Sequence, residues 1–328
     1  MVGKDKGGGD APRIFVLGSF VVACSAKVDR LPGPGESLRA HAFMLEAGGK
    51  GFNLAVGAKR LGAAVDGVLA VGDDFFSQLA RPALAEAGLP LRMLRVQKGA
   101  TGSGIGFTDA TGENCLAIYP GANLLLSAAD IRDARSEISS AQVVLAQFEI
   151  GDEPIAEAFR MAREAGALTL LNPSPYRDVA PEILAHTSVL VLNRVEARDM
   201  AARLGLADPQ AVASGGLDAL QLLAGELGAR GPETVIVTLG ADGALAWRGE
   251  GPLLYRPSFV IDVIDTLDAG DAFSAGLAVS LAEGLPLAQC LRRAAACGAL
   301  ASRRFGVLKA LPFRAELDEY LSSHEDDA

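Results

Sequence analysis

Short runs of Val, Leu and Ile alternate along this chain with stretches in which apolar residues recur every three or four positions. Runs at 14–18, 66–71, 143–148, 167–171, 188–192 and 234–239 are bounded by turn residues, the pattern of strands buried on both faces. Between them, 53–62, 78–87 and 154–165 carry helical spacing. The alternation predicts an α/β fold with a mostly parallel sheet covered by helices on both sides. Two segments break it. Residues 22–46 and 101–118 read as strands joined by turns, with Asp109-Ala110-Thr111-Gly112-Glu113-Asn114 as a hairpin connection. Further on, Phe273, Leu277 and Leu281 at a spacing of four predict a helix with one buried face, and Ala269 and Gly270 fall at its N-terminus.

Composition sets bounds on this picture. The chain has 328 residues, 50% hydrophobic and 21% charged, enough to bury a large core in one domain or one domain with an appendage. A formal net charge of -10 argues against a nucleic-acid surface and favours small-molecule chemistry. Cys24, Cys115, Cys290 and Cys297 show no CxxC spacing, and His41, His186 and His324 are scattered. Neither a zinc site nor a disulfide framework is expected, and Cys290 and Cys297 fit one helix face as core residues. Lys4, Lys6 and Arg13 precede an apolar run whose Val21-Val22-Ala23-Cys24 loosely resembles a lipoprotein cleavage site. Gly18 and Ser19 interrupt that run, which is shorter than the ~20 residues of a membrane span, so a first buried strand is the preferred reading. Residues 1–12 are expected to be a disordered leader and 323–328 a flexible tail of a cytoplasmic protein.

The chemistry concentrates in Asp265–Asp271, DTLDAGD. Unpaired N–H groups and the positive end of the dipole gather at a helix N-terminus, and the lack of bulk at Ala269 and Gly270 lets a phosphoryl group approach. Asp271 would touch the same site and could take a proton from an attacking hydroxyl. The plainer alternative is that Asp268 and Asp271 only cap a helix. Ligands of open α/β sheets bind beyond the carboxyl ends of the strands, where further candidates stand. In GGKGFN, Gly48 and Gly49 allow close backbone approach and Asn53 adds an amide, or Asn53 simply caps a helix. Lys50 is either a contact or a solvated lysine. Glu149 ends one apolar run and reads equally well as a surface glutamate. Asn193 and Glu196 follow another, where Glu196 also suits a first helical turn. There is no GxxxxGK[ST], and GSGIGF at 102–107 is one glycine short of a dinucleotide fingerprint.

Taken in order, these motifs resemble the ribokinase-like (PfkB) family of carbohydrate kinases from about Arg13 to Leu321. The landmarks are Gly18-Ser19, Pro34-Gly35-Glu36, Gly48-Gly49-Lys50-Gly51 with Asn53, Leu61-Gly62-Ala63 and Val71-Gly72-Asp73-Asp74. They continue with Glu149, Asn172-Pro173, Asn193 with Glu196, Thr238-Leu239-Gly240 and the terminal AGD. The resemblance implies a ribokinase-like three-layer sandwich with a mostly parallel central sheet (13–21, 47–100 and 119–322) and a small β-sheet lid (22–46 and 101–118) that often serves as a homodimer contact. It implies ATP and Mg²⁺, with Asp271 as base, the amides of Ala269, Gly270 and Asp271 on the transferred phosphoryl group, and Gly48, Gly49, Asn53 and Glu149 at the sugar. Asn193 and Glu196 would organise Mg²⁺ and its waters, and Thr238, Gly240 and Gly243 would border the nucleotide. A K⁺ site would draw on Asp265, Leu267, Ala301, Arg304 and Gly306, with Ala310 where a hydroxyl residue is common.

Two departures stand out. Ribose-type members carry Asn and Asp where this chain has Val21 and Ala23. An unsatisfied hydroxyl pair costs roughly 1–3 kcal/mol for each group, which argues against ribose as substrate. Asp268 replaces a usual Gly or Ala; its charge could repel the γ-phosphate or cap the helix from outside. The resulting expectation is an ATP-dependent phosphotransferase acting on a hydroxymethyl group of a small sugar or sugar-like molecule. The alternatives are a nucleoside kinase of the same fold or a catalytically weak relative that binds a sugar or nucleotide.

Overall fold

Along the first strand, Ile14 and Val16 enter one hydrophobic core while Phe15 and Leu17 enter another. A strand whose two faces are both apolar must be covered on both sides. The computed structural model describes residues 11–110, 114–205, 208–249 and 251–324. Its strands, in chain order, are β1 (Arg13–Ser19), β2 (Val21–Lys27), β3 (Ala42–Gly48), β4 (Ala64–Val71), β5 (Leu94–Val96), β6 (Gly102–Thr108) and β7 (Asn114–Tyr119). They continue as β8 (Val143–Gln147), β9 (Leu168–Asn172), β10 (Val189–Asn193), β11 (Thr234–Thr238), β12 (Ala244–Arg248) and β13 (Leu254–Arg256).

Nine of these form one sheet in the order β13-β12-β11-β10-β9-β8-β1-β4-β5. The strands from β11 through β5 in that order pair in parallel, and β12 and β13 add an antiparallel edge. On the Ile14 side lie helices Lys50–Arg60, Ala269–Ala282 and Leu287–Ser302; on the Phe15 side lie Asp152–Glu164, Arg194–Arg203 and Leu217–Gly228. The result is three layers, as expected. The antiparallel edge and the three-residue β5 were not anticipated: β12 reads ALAWR and β13 only LYR, too short to show a period.

The helix Ala269–Ala282 corrects a second expectation. Phe273 and Leu277 are buried, but so are Ser274, Ala275, Gly276, Ala278, Val279 and Ser280, while Leu281 is only half-buried. The helix is therefore enclosed on nearly every side. Small residues allow this: a Cβ on Gly276 would come within 2.7 Å of the Cys297 sulfur, and one on Gly57 within 2.9 Å of Ala275. Cys290 and Cys297 are both fully buried in the core.

The remaining four strands form a second sheet, β3-β2-β6-β7, in which β2 runs antiparallel to β3 and parallel to β6. Its strands reach Val21, Gly48 and Tyr119, one or two residues past the expected bounds. The expected hairpin connection at 109–114 falls partly, at residues 111–113, outside the described residues, as do most of the leader and the end of the tail. Among the described residues no helix is long and apolar enough to cross a membrane, and the run weighed as a cleavage site forms β1 and the start of β2.

The two sheets meet where the chain leaves β3 and enters the helix Lys50–Arg60. Gly49 makes the turn with φ of 98°, a left-handed value that favours glycine. At Gly51 a Cβ would stand 2.3 Å from the Ser19 nitrogen. Gly51→Ala is thus expected to displace the helix from the end of β1 and cost about 1–3 kcal/mol or more, read as a lower denaturation midpoint in urea.

Candidate active site

The end of β1, the start of the helix Lys50–Arg60, the end of β8 and the N-terminus of the helix Ala269–Ala282 converge on one cleft. Asp271 lies in the first turn of that last helix and is only 3% exposed. Its Oδ2 accepts a hydrogen bond from Asn53 Nδ2 at 3.0 Å, and its Oδ1 lies 3.4 Å from Lys50 Nζ. Beside it Gly270 is open: apart from its chain neighbours and its own helix backbone, no atom lies within 4 Å of where a Cβ would be. The first N–H groups of a helix have no intrahelical acceptor, so Gly270 and Asp271 offer donors next to a buried carboxylate and free space, while the Ala269 N–H makes a long bond, 3.3 Å, to the Thr266 carbonyl.

Asn53 therefore does more than cap a helix. Its amide bridges two carboxyl groups, since Nδ2 also lies 3.4 Å from Asp268 Oδ1. Asp268 occupies the N-cap position, yet its side chain makes no capping hydrogen bond, and it is 6% exposed. It points inward, which decides between the two orientations considered from sequence. Burial, with the charge of Asp271 adding to it, pushes the Asp268 carboxyl up to about 8. Asn53 Oδ1 and Asp268 Oδ2 are both buried without a protein partner.

Lys50 is a contact rather than a solvated surface lysine. Burial opposes its charge, but the carboxylates of Asp271 and Glu149 outweigh that, so its pKa lies above the ordinary lysine value. Its backbone N–H donates to Glu149 Oε2 at 3.0 Å, and the Ser19 hydroxyl donates to the same oxygen. Ser19 Oγ in turn accepts from Gly51 N–H at 3.2 Å and Gln147 Nε2 at 3.1 Å. Glu149 is held by this network at the cleft's edge, not free on a loop. Gly48 ends β3, and its Cα hydrogen looks towards Asn53 Oδ1, 4.0 Å from the position of a Cβ. Sequence reasoning left Lys50 undecided and gave Gln147 no role; only the fold brings them beside residues 221 and 128 positions away.

Asn193 and Glu196 form a reciprocal cap at the start of the helix Arg194–Arg203. Asn193 Oδ1 accepts the Glu196 N–H at 2.9 Å, and Glu196 Oε2 accepts the Asn193 N–H at 2.8 Å. Burial raises the Glu196 pKa above the ordinary value, against the hydrogen bonds from Asn193 and Ser174. Glu196 thus sits in the first helical turn, 3% exposed and with Oε2 engaged by the cap. Thr238 ends β11, and Gly240 and Gly243 flank the following turn with φ of 63° and 96°. A Cβ on Gly243 would lie 2.1 Å from the Arg256 carbonyl oxygen.

The residues considered for K⁺ lie on neighbouring segments, the Ser302 carbonyl accepting the Asp265 N–H at 3.2 Å. Asp265 Oδ1 accepts the Leu267 N–H at 3.0 Å and Oδ2 the Gly306 N–H at 3.5 Å, so these three are adjacent. Ala301 is buried, with its carbonyl accepting the Arg304 N–H at 3.2 Å, and the Arg304 guanidinium pairs with Glu316. Among the described residues no group of three or more His, Cys, Asp or Glu could hold a metal ion.

The sequence matches the model of the pfkB family of carbohydrate kinases over residues 11–314. Ribokinase of Mus musculus is 31% identical over 313 residues, covering 94% of each chain. The structure superimposes on Thermotoga maritima ribokinase with a TM-score of 0.85 at 27% identity, covering 95% of this chain and 99% of that one. It matches Arabidopsis thaliana ribokinase, solved in complex with ribose and ATP, with a TM-score of 0.83 at 26% identity and the same coverage. With a family match spanning nearly the whole chain and a fold shared end to end with two ribokinases, this protein belongs to the pfkB family of carbohydrate kinases.

Proposed function

We propose that the protein transfers the γ-phosphoryl group of ATP to a hydroxymethyl group of a sugar of pentose or similar size. The observation that carries this reading is the buried Asp271 carboxylate in the first helical turn, beside the open space at Gly270 and next to Lys50. Asp271 takes the proton from the attacking hydroxyl. The amides of Ala269, Gly270 and Asp271 bind the negative charge of the phosphoryl group in transfer, where preorganised donors act most strongly. Lys50 and Asn53 fix the carboxylate, while Gly48, Gly49, Asn53 and Glu149 line the sugar side. The nucleotide lies along Asn193, Thr238, Gly240 and Gly243. Mg²⁺, held through water near Glu196, would neutralise phosphate charge, and backbone carbonyls around Asp265 and Ala301 would serve a K⁺ ion.

Ribose stays among the candidate substrates. The relatives that support the ATP and sugar reading are themselves ribokinases, and the objection from Val21 and Ala23 concerns two side chains of a cleft with others to offer. The test is ADP release from Mg·ATP, with and without K⁺, across pentoses, hexoses, ketoses, sugar phosphates and nucleosides. Turnover with a single pentose or ketose supports the reading. Turnover with nucleosides alone, or ligand binding without turnover, overturns it.

A further inference from the structure

We infer that Glu46 is a substrate-contacting specificity residue that accepts hydrogen bonds from two neighbouring hydroxyls of the sugar. The inference rests on the kinase reading of the same cleft. Glu46 lies on β3 directly opposite Ala23 of β2, whose other neighbour is Gly104 of β6. Directly opposed residues share a face, so Glu46, Ala23 and Gly104 lie side by side. The same face carries Gly48, two positions along β3.

Two contacts show what that face looks at. At one end the Gly48 Cα hydrogen is directed at Asn53 Oδ1, the amide that holds Asp271. At the other, Lys27, on the same face of β2, places its Nζ 5.0 Å over the ring of Phe305, next to Gly306 and its contact with Asp265. The Glu46 face therefore spans the cleft from Asn53 to Phe305, while the opposite face of β3 shows Phe43 and Leu45, 68% and 41% exposed. Glu46 stands about 7 Å along the strand from Gly48, on the face that continues from Asn53 towards Phe305.

The surroundings of Glu46 leave its carboxylate to a ligand. It is half-buried, and among the described residues it makes no hydrogen bond or ion pair. Its cross-strand neighbours on this face, Ala23 and Gly104, have no polar side-chain atoms, and Gly102 and Gly106 extend the bare strip along β6. A carboxylate with two oxygens beside neighbours that lack polar side chains matches a vicinal diol, which presents two O–H donors side by side. The carboxylate stands on the strand beside Ala23, about 5 Å across the ladder.

The test is calorimetric titration of the full chain with pentoses and hexoses and with their deoxy analogues, with ADP release read on the same samples. Glu46→Ala is expected to weaken binding of the preferred sugar tenfold to a hundredfold. Removing one hydroxyl of the diol should weaken the wild type similarly and E46A little further. Glu46→Gln, which preserves shape, should fall between, and Ala23→Asp combined with E46A should recover affinity by restoring a carboxylate to the same face. Equal affinity of wild type, E46A and E46Q for the sugar overturns the inference, as does a wild type that binds no vicinal diol. Glu46-dependent binding without ADP release would instead overturn the kinase reading and leave Glu46 as a binding residue.

Discussion

Replacing Asp271 with Asn is expected to lower kcat by about 10² to 10⁴ with the preferred sugar, the range attributable to a general base. The substitution nearly preserves shape, and its amide oxygen can still accept from Asn53 or Lys50, so the fold should persist. Only the capacity to take the hydroxyl proton is removed. Binding of the sugar should change little, because the lining from Gly48, Asn53 and Glu149 remains. The measurement is steady-state ADP release together with equilibrium titration of the sugar into the variant. A loss of kcat with retained binding assigns proton transfer to Asp271. A loss of binding with unchanged kcat would assign it to substrate positioning and leave the base elsewhere. An intact rate would remove Asp271 from the chemistry altogether. Lys50 makes the result informative, because the variant leaves a part-buried ammonium beside a neutral amide. Its raised pKa, supported by Asp271 and Glu149, should fall.

How much of this site could be read from the chain depends on sequence separation. The helix N-terminus at Ala269, the close turn at Gly48-Gly49 and the strand ends at Asn193 and Thr238 follow from local pattern, and the structure places them where periodicity predicts. The sheet order follows in outline because both-face-apolar runs need cover on two sides. What local pattern does not carry is the pairing of polar side chains across the fold. Lys50 next to Asp271, Asn53 bridging two acids and Ser19 supporting Glu149 each join residues more than a hundred positions apart. Glu46 is a partial exception. It shares parity with Gly48 on one strand, so its face was legible, but its opposition to Ala23 needed the register. Asp268 was visible as an anomaly whose direction no one-dimensional pattern fixes, and the antiparallel edge of β12 and β13 was too short to signal itself.

The buried orientation of Asp268 leads to the second large effect, an alkaline limit on activity. With its carboxyl pushed up to about 8 by burial and by Asp271, the group carries a proton at neutral pH. It then adds no charge to the place where phosphoryl oxygens must arrive. The groups that bear on it are Asp271 and Asp265, which favour the proton, and Lys50, which opposes it. As pH rises through about 8, ionisation would put a second carboxylate beside the transferred group, and kcat/KM should fall about tenfold per pH unit beyond that point. Asp268→Asn mimics the protonated acid and should move this limb to higher pH, while Lys50, whose pKa lies above the ordinary value, leaves the interval clear. Stability obeys the same linkage. A carboxyl whose pKa rises from 3.8 to about 8 on folding takes up a proton as the chain folds. Its contribution is complete below the unfolded value and is lost as pH climbs through the folded one, at most about 1.4 kcal/mol per pH unit. Urea denaturation at pH 5, 7 and 9 should therefore show wild type losing stability relative to D268N across that range. Parallel stability curves together with an unchanged alkaline limb in D268N would mean that Asp268 is already ionised at neutral pH, with the phosphoryl group held by donors strong enough to tolerate it.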